Sequence, residues 1–316
     1  MYNNRTRLGY RTYIRRRRLI FSVVALVIAG IVTTAAIQYA GKFRGMVKSE
    51  RRELLRLWEA GSFDEVFNLS QAALTARPLD YFLLTMHGFS AYQLGISQIN
   101  SLNAGHYFDV CVRSLRKALL HKEGAHDGRL YYVLGKAYSY KGESFADLSV
   151  KYLEKAKVLS YSAADIPEYL GLAYAAIGDY RNSVAAFAEA LAPRADLDAA
   201  PSGPLLLSIA RSYFALEDFE LAQAYLQHCI DVSPDSRTIL AARLLLSEVQ
   251  KKAGNTDAAK KPLMDILEEA GENAEARYQL GELFALEGES VRARAEWRLA
   301  LRADPAHIKA RARLSM

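Results

Sequence analysis

The side chains best able to do chemistry in this chain are few and scattered. There are six histidines, His87, His106, His121, His126, His228 and His307, and two cysteines, Cys111 and Cys229. His121 and His126 bracket a KEGA loop and stand beside Asp127. These three nitrogen or oxygen ligands could touch a metal, but they leave a tetrahedral site short of its fourth ligand and its outer shell. Solvated loop residues account for them more simply. Glu268 with Glu269, and Glu287 with Glu289, read as exposed acids at helix ends, not as a catalytic pair. The chain has no glycine-rich phosphate loop, HExxH pair or GxSxG elbow. The expectation is a protein that is not an enzyme, with no catalytic, cofactor-binding or metal-ligating residues.

What the chain does repeat is a packing pattern. In Leu280–Pro305, a Leu280-Gly281 pair leads to Phe284, a turn glycine Gly288, Ala293, Trp297, Ala300 and a closing Pro305. Leu170-Gly171 leads to Tyr174, Gly178, Phe187 and Ala190 at the same offsets. Leu134-Gly135 leads to Tyr138 and Gly142, then to Leu153 and Ala156 two residues late, as if the turn were longer. Tyr213, Ala222, Leu226, Cys229 and Pro234 form another copy, with Glu217 where the turn glycine belongs. Gly254, Ala259 and Leu263 mark one more, and Gly61 with Pro78 a degenerate first one. Gly88, Gly95, Leu115 and Ala118 fit only if about eleven extra residues enter between two helices, over Ile96–Tyr107.

The spacing has physical causes. Glycine and alanine let two helices approach closely, and the large residue between the alanines fills the gap. The turn glycine can take the left-handed backbone that ends a helix. Proline cannot continue one. Over Val47–His307 the chain resembles the tetratricopeptide repeat family, whose unit is a 34-residue helix pair that must stack on neighbours to bury its core. The implied fold is all-α: an N-terminal single transmembrane helix followed by an α-solenoid of about seven such pairs. The units fall near 47–80, 81–124, 128–163, 164–197, 203–236, 240–273 and 274–307. A cap at 308–316 follows, with Lys309, Arg311 and Arg313 on a solvated face. The Ala192–Gly203 loop reads as a soft joint between two sub-stacks. Cys111 and Cys229 lie three repeats apart, too far for a disulfide, and Cys229 sits at a small-residue packing position.

Charge divides the chain. Of 41 basic and 35 acidic residues, the first 56 positions hold 13 and 2, a net of +11. The remainder holds 28 and 33, a net of −5, so a solenoid with the basic footprint of nucleic-acid binding is not expected. Residues 1–18 form a basic tail, 19–40 a transmembrane helix and 41–46 a basic linker. The apolar core, Leu19–Ile37, has no charge and is long enough for the hydrocarbon layer at about 1.5 Å per residue. A cleaved signal peptide would have a shorter core. Seven arginines precede the span and six basic residues follow it. Arg15–Arg18 abut the apolar run, which favours a cytoplasmic N-terminus and repeats in the periplasm of a bacterium. The alternative is a cytoplasmic repeat region.

In this family the first helix of each unit generally lines a concave peptide-binding groove. The resemblance places Phe82, Phe89 and Tyr92 there in the second unit, Arg129, Tyr132, Lys136 and Tyr140 in the third, and Arg211 with Phe214 in the fifth. Glu248, Lys252, Tyr278 and Glu282 follow toward the C-terminus. Leu172, Ala175 and Ala176 make the fourth unit bland. Aromatic and arginine side chains dominate binding hot spots, so Phe89, Tyr92, Tyr132, Lys136 and Tyr140 are the expected contacts for a partner segment. Alternatively, several pack against the Ile96–Tyr107 insertion. No asparagine stands where some family members clamp a partner's C-terminal carboxylate. The function this implies is a membrane-anchored scaffold or adaptor with protein partners, in an envelope assembly of flagellar, pilus or secretion type. A collar around a flagellar motor is one instance, and a place in a larger oligomeric complex is compatible with it. The alternative is a chaperone-like factor meeting clients near a translocon.

Overall fold

The computed structural model describes residue 33 and residues 45–99, 103–192 and 201–315. All regular structure among them is helical. Helix α1 runs through residues 45–59. It is followed by α2 (Phe63–Ala76), α3 (Tyr81–Ser97), α4 (Ala104–Ala118), α5 (Gly128–Tyr140), α6 (Ala146–Val158), α7 (Ile166–Ala176) and α8 (Tyr180–Leu191). Then come α9 (Gly203–Ala215), α10 (Phe219–Val232), α11 (Ser236–Lys252), α12 (Thr256–Ala270), α13 (Ala274–Leu286), α14 (Ser290–Ala303) and α15 (Ile308–Ser315). Consecutive helices pack on one another, and the odd-numbered helices α3 to α13 also touch in succession. The odd helices therefore form one continuous layer of the solenoid and the even helices the other.

Local chemistry sets these elements. Asp80, Asp127, Asp179, Asp218, Asp235 and Asn273 each accept a backbone N–H in the first turn of the helix they precede, satisfying donors that have no intrahelical partner. Where two helices meet, glycine is required by space. A Cβ on Gly171 would stand 2.5 Å from the ring of Phe187, which is completely buried. Between α9 and α10 the left-handed turn position is held by Glu217, at φ +60°, where neighbouring units use Gly178 and Gly254. The longer turn expected before Leu153 is a short 3₁₀ segment, Glu143–Phe145.

Several expectations are corrected. Of the Ile96–Tyr107 insertion, the first two residues end α3 and the last four begin α4, with residues 98–103 between the two helices. Gly95 is not a turn glycine. It lies within α3, where a Cβ would be 2.7 Å from Phe108. Helix α11 starts at Ser236, ahead of position 240, because Asp235 caps it. The junction of α8 and α9 is not a break in the packing. Phe187 shares a core cluster with Leu205 and Ile209, and Ser183 Oγ lies 2.9 Å from Ser212 Oγ. Lys309, Arg311 and Arg313 of α15 are exposed, as expected, and two of them are also engaged. Arg313 pairs with Glu282 at 2.5 Å and lies over the Trp297 ring, while Lys309 Nζ stands 3.5 Å from Glu275 and over Tyr278.

Among the described residues no helix is long and apolar enough to cross a membrane. The span expected at 19–40 lies outside the described residues apart from Thr33. Cys111 and Cys229 are both buried and free, and the Cys229 thiol donates to the Gly203 carbonyl at 3.2 Å.

Candidate protein-binding groove

The layer of odd helices carries the residues read from the sequence as groove contacts, and most already have partners. Phe82 lies under the Arg51 guanidinium, 4.9 Å from its ring centre, and Phe89 leans on Trp58 at 6.3 Å. Helix α1 thus covers this end. Tyr92 is not on the open face: it is 5% exposed, inside the core shared by α3, α4 and α5. Tyr140 stacks on Phe108 at 5.1 Å and shares a 2.7 Å hydrogen bond with the Tyr169 hydroxyl. Phe108, just past the Ile96–Tyr107 stretch, is the ring neighbour of both Tyr92 and Tyr140.

Lys136 is the centre of the cluster. Its ammonium donates to Asp165 Oδ2 at 2.6 Å and to the Tyr132 hydroxyl at 3.2 Å. It also lies 4.5 Å from the centre of the Tyr169 ring, within cation–π range. The Tyr132 hydroxyl in turn donates to Asp165 Oδ1 at 2.8 Å. Burial pushes the Tyr132 and Tyr169 hydroxyls well above the ordinary tyrosine value, and their hydrogen bonds to Asp165 and Tyr140 add to it. Burial also raises Glu168, with the Asp165 charge acting in the same direction and Lys136 against it. Arg129 is exposed but engaged, gripping Asp127 with two hydrogen bonds of 2.9 and 2.7 Å. Burial acts to raise the Asp127 carboxyl, but these bonds prevail and hold it below the usual range.

Asp165 and Tyr169 were missed by sequence reasoning. Asp165 stands where a helix cap belongs, directly before Ile166 and Pro167, and it makes no capping bond because its carboxylate turns to α5 instead. Nothing in the local pattern distinguishes those two uses.

The open part of the groove lies one unit further on. A hollow of about 520 Å³ is lined by Ser139, Leu172, Ala175, Ala176, Ser208 and Arg211, among others. It exists because side chains are small. In the register where α5 carries Tyr140, five residues past its packing glycine, α7 carries Ala176. The segment that reads as bland is therefore the one with room. Arg211 is exposed at its rim and has no ion pair among the described residues. At the C-terminal end the layer is closed, since Tyr278 and Glu282 are covered by α15.

The helix-pair geometry, the packing glycines and the left-handed turns are those of a repeat solenoid, and residues 200–316 match the family model of a Tetratricopeptide repeat-like domain. Over residues 200–316 the chain is similar to that family. Two solved structures share the fold of this tetratricopeptide solenoid. One is the C-terminal part of a TPR repeat-containing protein from Cytophaga hutchinsonii, 14% identical, covering 84% of this chain and 100% of that one, with a TM-score of 0.58. The other is PilW, described as a widely conserved type IV pilus biogenesis factor, 17% identical, covering 72% of this chain and 98% of that one, with a TM-score of 0.55. No curated protein matches the chain.

Proposed function

We propose that the protein is a non-catalytic, membrane-anchored scaffold that holds a segment of a partner protein in the groove formed by α5, α7 and α9. The hollow beside Arg211 carries this reading. It combines a small-residue floor, serine hydroxyls at its edge and a guanidinium with no ion pair among the described residues, the mix of apolar seat and few polar anchors that a bound segment needs. A solenoid offers such a surface along its length without a catalytic centre. The uncharged run Leu19–Ile37, flanked by Arg15–Arg18, supplies the anchor, with the N-terminus cytoplasmic and the repeats in the periplasm. Anchoring restricts the array to the membrane surface and raises its effective concentration near envelope machinery. Flagellar, pilus and secretion assemblies all fit that setting. The likeness to PilW is one of fold, and it makes the pilus setting the first to test.

The test is site-specific photocrosslinking from Ala176 in the intact protein in its native membrane, followed by mass spectrometry. A stoichiometric partner is expected, and Ala176→Trp, which fills the hollow, is expected to abolish its capture while leaving the helical signal unchanged. A partner captured equally well by Ala176→Trp would reject the groove as the binding site.

A further inference from the structure

The outer layer of the solenoid shows a charge pattern that whole-chain bookkeeping conceals. Beyond position 56 the chain is net acidic, yet the outward faces of α4 and α6 are basic. Arg113, Arg116, Lys117, Lys122, Lys151 and Lys155 are all exposed, and none has an ion pair among the described residues. Acids without an ion pair among the described residues are Glu123 beyond α4, Glu143 just before α6 and Asp147 in its first turn, Glu154 within α6, which accepts from the Tyr174 hydroxyl, and Asp64 and Glu65 at the start of α2. The two helices are neighbours in the even layer, since Leu148 and Tyr152 of α6 pack against the core cluster that holds Cys111, Leu115 and Ala118 of α4. Cations complement the C-terminal carbonyls of helices, which accounts for Arg116, Lys117 and Lys155. It does not account for Arg113 and Lys151, which lie further up their helices, or Lys122, beyond the end of α4.

Two more observations sit on this face. Leu120 and Val158, at the ends of α4 and α6, are 81% and 72% exposed, and Leu79, at the matching edge after α2, is 61% exposed. Between α2 and α4 a hollow of about 500 Å³ opens, with His106, Arg113 and Lys117 beside Thr75 and Ser114, and with Phe67, Leu74 and Val110 as its apolar wall. Exposed aliphatics among lysines, next to a cationic hollow with an apolar wall, match the chemistry of a bilayer whose headgroups are anionic and whose interior is hydrocarbon. A nucleic acid would engage the lysines but leave Leu120 and Val158 without a role.

We infer that the outer face of α4 and α6 is a docking surface for an anionic lipid bilayer, with Leu120 and Val158 entering the interface and a lipid headgroup in the hollow between α2 and α4. This places the second and third units against the membrane and turns the groove of the odd helices away from it, toward a partner. The inference does not depend on what the groove binds.

The test uses the full chain with Leu120→Cys carrying an environment-sensitive fluorophore. Cys111 and Cys229 are buried and free, and burial raises both thiols, so labelling is confined to position 120. The protein is incorporated into phosphatidylcholine vesicles with or without phosphatidylglycerol. Expected results are blue-shifted emission and quenching by nitroxide lipids only when phosphatidylglycerol is present, both reversed by raising salt from about 0.05 to about 0.5 M. Substituting Lys117, Lys122 and Lys155 with glutamine should weaken the contact by about fivefold for each lysine near the surface. Their exposure means that the circular dichroism and melting curve should not change. A control label at Leu286→Cys, on the opposite edge of the last repeat, should report water in every case. The inference is overturned if emission is the same in both vesicle types, if the glutamine variant behaves as wild type, or if only added DNA or an acidic polypeptide shifts the label.

Discussion

The ammonium of Lys136, on α5, sits 2.6 Å from Oδ2 of Asp165, the residue just ahead of α7, and so ties one repeat to the next across the groove face. The two partners are not equally placed. The Lys136 side chain is 11% exposed among tyrosine rings, whereas Asp165 is 34% exposed and keeps a second donor in the Tyr132 hydroxyl. Asp165→Asn therefore strands a mostly buried cation and should cost about 1–3 kcal/mol. Lys136→Met leaves a carboxylate that is still hydrogen-bonded and half in water, and should cost about 1 kcal/mol or less. Urea unfolding of the two variants compares them directly. If Lys136→Met proves the more destabilising, the pair is not the tie described.

Glu217 stands where the adjacent units have a turn glycine, and its backbone shows the consequence: φ is +60°, a region that glycine enters without steric cost. Its side chain has no ion pair among the described residues to offset the strain. Glu217→Gly should therefore stabilise the protein by about 0.5–1 kcal/mol. A lower melting temperature for this variant would mean that the Glu217 side chain does something that its surroundings do not reveal.

What the sequence revealed, and what it hid, follows from which features are local. Gly171 against Phe187, the turn at Gly178 and the intruder at Glu217 all lie within single helix pairs, and they were legible. Lys136 was legible as a groove position but not as a neutralised one, because Asp165 lies 29 residues away and resembles an ordinary helix cap. The extra residues between Gly88 and Leu115 were visible as a count. That Phe108, just beyond them, stacks on Tyr140 depends on packing across α3, α4 and α5. The hollow at Ala176 was hidden for the opposite reason. A binding surface made by missing side chains leaves no conspicuous residue in the sequence.

His87 should make the first repeats sensitive to acid. It is buried in α3, stacked on Phe67 at 4.5 Å, with Nδ1 3.2 Å from Ser70 Oγ and 3.3 Å from the Phe67 carbonyl. Burial lowers its pKa below the ordinary 6.5, and the Arg113 charge adds to this, while the Phe67 carbonyl acts in the opposite direction. The unfolded chain therefore binds a proton before the folded one does. Stability is intact above about pH 6.5 and falls as pH drops below it, until the folded histidine also protonates. His87→Gln should remove this part of the slope between about pH 7 and 5. Denaturation midpoints across that range check it, and an unchanged slope in the variant would assign the acid response to other groups.

The two tryptophans lie at opposite ends of the solenoid, Trp58 in α1 and Trp297 in α14, and a repeat array has no requirement to unfold in one step. Trp297 packs with Ala293, Ala300 and the fully buried Ala310 of α15, and the Arg313 guanidinium lies over its ring. Ala310→Asp would place an uncompensated charge in that cluster and should cost the last unit at least about 2 kcal/mol. In a Trp58→Phe background the emission of Trp297 should then unfold at distinctly lower urea than before. In a Trp297→Phe background the emission of Trp58 should keep its midpoint, since some 240 residues of nearest-neighbour contacts separate the two sites. Equal shifts at both ends would show that the array transmits the loss as a single cooperative unit.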